Sequence, residues 1–508
     1  MQEKLVITGM GAVTPIGIGV DTYWNNLVDG KCGIDHITRF DASELPVQIA
    51  AQVKDFNPDD FMTKKQSREM DLFMQYGYAA ATEALADAGI EEDTVASDRM
   101  GVVVGTAMSG VSIIAETQDG LSTGAHKKVS PRFVPKFIGN IAAAQIAIAK
   151  GYHGPSLTVS TACSSGADAV TTAAMLLRAG EADAVIVVGA DASICPVVLL
   201  GLASAHALST NNDDPLHASR PFDKDRDGFV AGEGGGAILL ETESHAKKRG
   251  AKIHAELVGY ANCTDGYHVT APHPDGIGAI ACMEHAVKKA GISLDQIDYI
   301  NTHGTSTPMG DTIEVNAVKK LFGAHAYEMA VTSTKGSTGH MMGAGGVTET
   351  IACIKAIQTG IVPPTLGLVN ADGHRVGSGA AGGSACSGNA GDHAGKGAVR
   401  DGVCRDGDVL TLLDGEDLQL VHIQGHFQIA QVVDGAQRLA GSRVGAHSVT
   451  GLDILLDHGA ADGRGDGIVF HLLFGVAHGK LCVQQTVGSG LHLPAQLGAG
   501  KLHNGRVR

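Results

Sequence analysis

The chain has 508 residues, 44% of them apolar, which is enough for two ordinary domains or for one large duplicated α/β unit with a buried core. Its formal net charge of −16 excludes a general nucleic-acid-binding role, because such proteins need a basic surface. The first residues carry no long apolar segment, and apolar runs such as 184–192 are much shorter than the ~20 residues that span a bilayer. We therefore expect a soluble, cytoplasmic protein that makes no membrane contact.

Short β-branched runs alternate with Ala-rich stretches along the first 365 residues, a pattern typical of a layered α/β fold. The predicted strands are 4–8, 100–104, 156–160 and 184–188. Residues 156–190 read as strand, small-residue turn, helix and strand, and a similar unit recurs at 330–364. This repetition predicts two related halves, 1–251 and 252–370.

The composition changes from residue 371 to residue 508. This segment is crowded with Gly, His, Ala and Asp, and it contains no Tyr, Trp or Met, one proline (Pro494) and one glutamate (Glu416). Such a composition matches neither a strand–helix alternation nor an ordinary charged disordered tail. No fold is predicted for it, and out-of-frame translation, a genuine fusion and disorder all stay open as interpretations.

The nine cysteines are scattered, and no two of them form a CxxC pair of the kind used for structural zinc or thiol exchange. Cys163 stands apart because it lies in STACSSG, where a predicted strand meets a helix. Unpaired N–H groups and the helix dipole at such a turn would lower the thiol pKa from its usual ~8.5 and could hold an oxyanion. A buried structural cysteine is the alternative interpretation of these seven residues.

Two histidines occupy similar junctions, His303 in NTHGTSTPMGD and His340 in TSTKGSTGH, each just beyond an apolar β-type run. A single histidine is more often structural, but two at such junctions, in a chain with a cysteine at a third, indicate a catalytic set. Neither follows a zinc-ligand spacing such as HExxH, so a metal site is the weaker interpretation and no metal is predicted.

Cys163 in TACSSG, His303 in NTHGTSTPMGD, and Lys335 and His340 in STKGSTGH together resemble the thiolase-like beta-ketoacyl synthases of fatty-acid synthesis, in particular the elongating type II enzymes. GMGAVTPIG, PRFVPKFIGNIAA and SRPFDKDRDGFVAGEGGGAILLE extend the resemblance from residue 1 to about residue 365. The resemblance implies a duplicated αβαβα fold. Its second half would be incomplete here, because the family's closing strand pair and Gly-Phe-Gly-Gly loop cannot be found.

The resemblance implies a decarboxylative condensation. An acyl group would move from the phosphopantetheine of an acyl carrier protein to Cys163, and a malonyl-carrier would then lose carbon dioxide and attack the acyl-cysteine. His303 and His340 would stabilise the enolate, Lys335 would hold the histidine region electrostatically, and Glu314 would pair with Lys335. No separate cofactor is implied.

The resemblance also implies how substrates and partners are held. Thr305 and Thr307, with Thr270 assisting, would bind the pantetheine arm, and Met108 and Leu202 would line the acyl tunnel, although ordinary core packing is an equal alternative for the last two. The acidic carrier protein would dock on a local basic patch, and the chain would form a homodimer. The candidate docking residues, each of which could instead be a solvated surface charge, are Lys64, Lys65, Arg68, Lys127 and Lys128.

Three other functions share part of this pattern. A polyketide-type ketosynthase cannot be separated from a fatty-acid enzyme on these motifs. An inactive partner subunit, similar to the chain-length factors, would lack the nucleophilic cysteine, and an acyl-CoA thiolase would use a Cys-His-Cys set. The sequence therefore predicts an elongating synthase. The segment 371–508 is expected not to complete the second half and to leave the chain poorly active or poorly folded.

Overall fold

The structure is a computed structural model that describes residues 3–91, 94–125 and 127–371, and beyond them the backbone of three short strands. The strands in this part of the chain are β1 (Leu5–Thr14), β2 (Gly17–Ile18), β3 (Asp35–His36), β4 (Ile49–Ala50), β5 (Met100–Gly105), β6 (Ser156–Val159), β7 (Ala184–Asp191), β8 (Gly234–Thr242), β9 (Ala255–Gly259), β10 (Tyr299–Asn301), β11 (Ala330–Thr332), β12 (Gln419–Val421), β13 (His471–Ala477) and β14 (Lys480–Thr486). The α-helices are α1 (Val20–Val28), α2 (Lys64–Glu69), α3 (Leu72–Asp87), α4 (Val111–Ser122), α5 (Phe133–Phe137), α6 (Asn140–Lys150), α7 (Ser165–Arg178), α8 (Pro196–Ser204), α9 (Glu243–Lys248), α10 (Ile277–Ala290), α11 (Pro308–Phe322), α12 (Lys335–Thr338) and α13 (Gly345–Thr359).

The main sheet has the strand order β12-β9-β1-β8-β7-β5-β6, with β2 attached to β1. β5 runs parallel to β6 and β7, whereas β8 is antiparallel to both β7 and β1. The four strands predicted from β-branched runs are confirmed as β1, β5, β6 and β7.

Helices cover both faces of this sheet. Successive side chains of a strand point to opposite faces, and in β7 the side chains of Val185 and Val187 join the apolar cluster of α1, α7 and α13. Those of Ile186 and Val188 join the cluster of α3 and α6 on the other face. Burial on both faces explains why this strand is an almost continuous apolar run.

The second half repeats this layering. β10 and β11 form a parallel pair, and Tyr299 of β10 packs on the cluster that contains α7 and α13, whereas Ile300 belongs to a cluster with α10 and α11. Helices α7 and α13 therefore lie between two sheets, with α3 and α6 outside one and α10 and α11 outside the other. The predicted αβαβα layering is confirmed.

The second half differs from the first in two places. The short helix α12 forms where the sequence predicted only a Gly/Ser turn, and residues 361–365 form no strand. Pro363 and Pro364 have no N–H to donate to a sheet, which explains the second difference.

The described part of the second half also lacks two strand positions. In the first half β7 and β8 lie between β5 and β1, but among the described residues no strand lies between β10 and β9. β9 instead pairs with β1 and, in parallel, with β12. The predicted tail 371–508 lies outside the described residues, except for Ala371, the backbone of β12, and the hairpin β13–β14, which belongs to a separate unit, 434–508.

No helix in the described ranges combines the length and the apolar character that crossing a membrane requires.

Candidate active site

Cys163 lies at the bend between β6 and α7, in the 3-10 turn Ala162–Ser164. Ala162 has a φ of 54°, a left-handed conformation that few residues other than glycine adopt, and such backbone strain is concentrated at functional sites. The thiol is buried, and it packs in an apolar cluster with Leu202 and Met342. The turn therefore buries the cysteine side chain against apolar neighbours.

The second half builds the same bend. The 3-10 turn Met342–Ala344 precedes α13, and Met342 has a φ of 47°, so it matches Ala162. The starts of α7 and α13 meet so closely that a Cβ on Gly166 would lie 2.5 Å from the carbonyl oxygen of Gly343. The turn before α13 therefore packs directly against the turn that carries Cys163.

His340 and His303 surround the thiol. Nε2 of His340 lies 2.9 Å from Sγ of Cys163. The His303 and His340 rings stand edge to face, with their centroids 5.2 Å apart, and one ligand atom from each of the three residues lies within 4.8 Å of the other two. Phe229 holds the other side of His340, with ring centroids 5.2 Å apart. The three residues that the sequence singled out do converge.

Burial keeps this trio uncharged. It lowers the pKa of both His303 and His340 well below 6.5, and the nearby positive charge of Lys335 acts in the same direction. Burial raises the pKa of the Cys163 thiol to about 12, although the charge of Lys335 opposes this shift. The expected lowering of that pKa is therefore corrected: for an enclosed thiol, desolvation outweighs the effect of the helix N-terminus.

Lys335 is paired, but not with the residue that the sequence suggested. Its ammonium group forms a buried ion pair with Glu349 of α13, and Oγ1 of Thr334 lies 3.4 Å from the same carboxylate. Glu314 instead accepts hydrogen bonds from the backbone N–H groups of His303 at 2.7 Å and Gly304 at 2.8 Å. The expected Glu314–Lys335 pair is thus corrected to Lys335–Glu349.

Glu314 has the geometry of a positioning residue. Its two carboxylate oxygens fix two consecutive N–H groups of the segment that carries His303. Burial raises its pKa to about 7, against the lowering effect of these hydrogen bonds. The carboxylate therefore sets the backbone path at His303 and does not touch the thiol.

The predicted substrate-binding residues are three threonines and two apolar residues. Oγ1 of Thr305 and Oγ1 of Thr307 lie 3.1 Å apart on the loop that follows His303, whereas Oγ1 of Thr270 contacts Nδ1 of His268 at 3.2 Å. Leu202 packs in the same apolar cluster as Cys163, and the side chain of Met108 is half-buried after β5.

Asp191, at the end of β7, is an organising residue that the sequence reasoning missed. Its buried carboxylate accepts N–H groups from Ala107 at 2.7 Å, Met108 at 2.9 Å and Gly343 at 2.7 Å. It thereby ties the loop after β5 to the turn before α13. A single acidic residue closing the apolar run AVIVVGAD was the available signal.

The five candidate docking residues are all exposed. Lys64, Lys65 and Arg68 lie on α2, and Lys64 faces Asp59 at 3.7 Å. Lys127 and Lys128 lie between α4 and α5. Lys136 of α5, which the sequence reasoning did not select, lies near Asp71 at the start of α3. Burial raises the pKa of the Asp71 carboxyl group to about 6, and the charge of Lys136 partly opposes this shift.

Comparison with known proteins agrees with this geometry. The family model for the beta-ketoacyl synthase N-terminal domain matches residues 2–246, and the model for the C-terminal domain of the same family matches residues 254–369. The 3-oxoacyl-[acyl-carrier-protein] synthase 2 of Coxiella burnetii is 43% identical over 371 residues, which cover 73% of this chain and 90% of that protein.

Solved structures of ketosynthases share the fold. The ishigamide ketosynthase/chain length factor superposes with a TM-score of 0.69 at 33% identity, covering 74% of this chain and 91% of that one. A type II polyketide synthase ketosynthase, solved in complex with its acyl-carrier protein, gives a TM-score of 0.67 at 30% identity, with coverage of 74% and 91%. The chain belongs to the beta-ketoacyl synthase family.

Proposed function

We propose that this chain is a 3-oxoacyl-[acyl-carrier-protein] synthase that elongates fatty acyl chains by decarboxylative condensation. The observation that carries the proposal is the uncharged trio, in which Sγ of the buried Cys163 lies 2.9 Å from Nε2 of the buried His340, with the partly exposed His303 beside both. The name of the Coxiella burnetii relative supports the substrate class.

The first step is acyl transfer. Sγ of Cys163 attacks the thioester carbonyl of the acyl-carrier while Nε2–H of His340 donates a hydrogen bond to the sulfur, and the thiol proton passes to the departing pantetheine sulfur. The backbone N–H of Cys163, in the 3-10 turn before α7, donates to the developing oxyanion. The carbon–sulfur bond to the pantetheine breaks, and the departing thiolate takes up the proton.

The second step is decarboxylation and condensation. The malonyl-carrier loses carbon dioxide, and Nε2–H groups of His303 and His340 donate hydrogen bonds to the oxygen of the resulting enolate. Neutral imidazoles suit this role because they are donors without carrying charge. The carbanion attacks the acyl carbon, the bond to Sγ of Cys163 breaks, and the thiolate takes up a proton from water.

The buried pair of Lys335 and Glu349 influences the charge of the two histidines. The buried ammonium group disfavours a second positive charge on either imidazole, and Glu349 neutralises the ammonium group in turn. Glu314 positions the backbone at His303. These are positioning roles, because none of the three side chains has to reach the substrate.

The substrate enters beside His303, which keeps part of its surface exposed. Thr305 and Thr307, with hydroxyl groups 3.1 Å apart, can bind the amide groups of the pantetheine arm, with Thr270 assisting. Leu202 and Met108 would line the acyl pocket next to the thiol.

An acyl carrier protein is the proposed partner, and the ketosynthase solved with its acyl-carrier protein supports it. This chain is itself acidic, so an acidic carrier needs a local basic surface. The exposed basic residues of α2, with Lys127 and Lys128, supply positive charge for it. The reaction needs no separate cofactor, and a cytoplasmic location is part of the proposal.

A homodimer through β6 is also proposed. Among the described strands β6 pairs only with β5, so its outer edge is open. Leu157 of β6, Met175 of α7 and Ile148 of α6 expose 45%, 52% and 77% of their surface around that edge. An open apolar edge needs cover, and antiparallel pairing with the β6 of a second copy provides it in a closed dimer. Leu157→Asp should shift the chain to a monomer in sedimentation velocity.

Acyl transfer can be tested by mass spectrometry of the intact chain after incubation with an acyl-carrier thioester. We expect one acyl group, located on Cys163 by peptide mapping and absent from Cys163→Ala. Cys353→Ala is the matched control, because Cys353 is another thiol whose pKa burial raises to about 12. Acyl label on Cys353 or Cys195 with Cys163 untouched would contradict the proposal.

A further inference from the structure

A second group of thiols lies outside the active site, where the loop after β9 meets α10. Sγ of Cys263 lies 3.5 Å from Nδ1 of His285. Cys282 donates to the carbonyl oxygen of Ala261 at 3.4 Å. Burial raises the pKa of its thiol to about 12, and the neighbouring side chain of Cys263 adds to this shift. The condensation proposed above uses none of these groups.

The two thiols differ in access. Cys263 is partly exposed and His285 is exposed, whereas Cys282 is fully buried inside α10. An accessible thiol beside an imidazole that can accept its proton reacts first with an oxidant. The buried Cys282 then acts as the resolving thiol, which attacks the oxidised sulfur of the neighbouring Cys263.

We propose that Cys263 and Cys282 form a reversible disulfide, with hydrogen peroxide as the oxidant, and that this bond loosens the turn that carries Cys163. Sγ of Cys263 attacks peroxide while its proton passes to His285, the O–O bond breaks, and a sulfenic acid and one water form. Sγ of Cys282 attacks the sulfenic sulfur, the S–S bond forms, and a second water leaves. The two thiols lose two electrons and two protons, and peroxide is reduced to two waters.

A chain of hydrogen bonds links this pair to the nucleophile. Nδ2 of Asn262, the residue before Cys263, donates to Oδ1 of Asp168 at 2.6 Å. Oδ2 of Asp168 accepts the hydroxyl groups of Thr161 at 2.6 Å and Ser164 at 3.0 Å. Thr161 and Ser164 flank the strained residue Ala162 and the nucleophile, so Asp168 is the anchor of that turn.

Closing the disulfide must move this chain. The S–S bond is about 2.05 Å long, much shorter than any contact between two thiols. Cys282 is held within α10, whereas Cys263 lies in a segment with no regular secondary structure. The movement therefore falls on Cys263 and its neighbour Asn262, which weakens the bond from Asn262 to Asp168.

The disulfide can be tested on the full chain. The reduced protein is treated with stoichiometric hydrogen peroxide, alkylated and digested without reductant, and the peptides are identified by mass spectrometry. We expect a 263–282 cross-link that a thiol reductant reverses. In Cys282→Ala, Cys263 should accumulate as a sulfenic acid that dimedone traps. Oxidation of Cys263 without a cross-link in the unaltered chain would overturn the proposal.

The coupling has a readout that needs no condensing activity, so it fails or succeeds independently of the proposed function. Iodoacetamide labelling of Cys163 should be faster in the oxidised chain by about fivefold, the factor that corresponds to one hydrogen bond. Cys282→Ala should show no change on oxidation, and Asn262→Ala should label fast even when reduced. A cross-linked chain that labels Cys163 at the reduced rate would overturn the coupling.

Discussion

At the scale of single residues, the thiol of Cys163 keeps its proton until a substrate arrives. Its pKa of about 12 and the lowered pKa values of both histidines mean that thiol and imidazoles are uncharged at neutral pH. The thiol therefore loses its proton only during the reaction, when Nε2–H of His340, 2.9 Å from Sγ, stabilises the developing thiolate. An uncharged trio is also the least costly form to bury.

His303→Ala and His340→Ala should each slow the decarboxylation of malonyl-carrier by about 100- to 1000-fold, because each removes one hydrogen-bond donor to the enolate oxygen. The measurement is release of carbon dioxide. His217→Ala is the control, since His217 is exposed and forms an ion pair with the exposed Asp214. Unchanged decarboxylation by the double variant would rule out the assigned roles.

The lowered histidine pKa values predict a pH dependence of stability. Below about pH 6.5 the unfolded chain binds protons at His303 and His340 that the folded chain does not, so the free energy of unfolding falls as the pH falls. Glu314, with its pKa raised to about 7, contributes in the opposite direction. Urea unfolding between pH 5 and 8 should therefore show a weaker fall for the double variant His303→Asn/His340→Gln. Equal slopes for both proteins would contradict the shifts.

At the scale of elements, α12 and α13 are joined by the buried pair of Lys335 and Glu349. Glu349→Gln leaves an uncompensated buried ammonium group, so we expect a loss of about 3–5 kcal/mol in the free energy of unfolding. Glu243→Gln breaks the exposed Lys247–Glu243 pair of 2.8 Å and should cost below about 1 kcal/mol. Urea unfolding of both variants measures these losses. Similar losses in the two variants would contradict the larger contribution of the buried Lys335–Glu349 pair.

The contact between α7 and α13 depends on glycine. A Cβ on Gly166 would lie 2.5 Å from backbone oxygen, so Gly166→Ala should destabilise the fold by about 1–3 kcal/mol and displace the turn at Cys163. Gly201→Ala in α8 is the matched control: nothing lies within 4 Å of its Cβ, and alanine favours a helix by up to about 1 kcal/mol. Thermal unfolding of the two variants should shift in opposite directions.

At the scale of the whole molecule, the described second half ends near residue 370. Asp223 accepts the N–H groups of Val369 at 2.8 Å and Asn370 at 2.7 Å, which ties this end to the first half. Both side-chain polar atoms of the buried amide of Asn301, at the end of β10, lack a hydrogen-bond partner among the described residues. Residues 371–508 are therefore expected to leave the second sheet incomplete.

Limited proteolysis of the full chain tests this expectation. A resistant fragment that ends just after residue 370 is expected, because Asp223 holds the backbone up to that point. Condensing activity should be low, because the absence of the family's Gly-Phe-Gly-Gly loop would remove one wall of the acyl pocket and one of two oxyanion donors. A protease-resistant tail together with full condensing activity would contradict it.

Prediction from sequence was sound where the signal is local. β-branched runs identify β1, β5, β6 and β7, and the repeat of strand, turn and helix predicts the matching bends at Ala162 and Met342. It was wrong where the outcome depends on neighbours distant in sequence. The seven residues around Cys163 do not show how completely the folded chain encloses the thiol, so the predicted direction of its pKa shift was wrong.

The sequence by itself determined the family, the layered α/β class and the identity of the three residues that meet at the site, because motifs at strand ends are written in contiguous residues. Only the tertiary structure decided that Lys335 pairs with Glu349 and that Glu314 binds the backbone at His303, because the sequence alone allows either carboxylate to pair with Lys335. It also decided that Cys163 and His340, 177 residues apart, share a hydrogen bond. Distance and desolvation are properties of the packed chain, and they set the charges with which this site works.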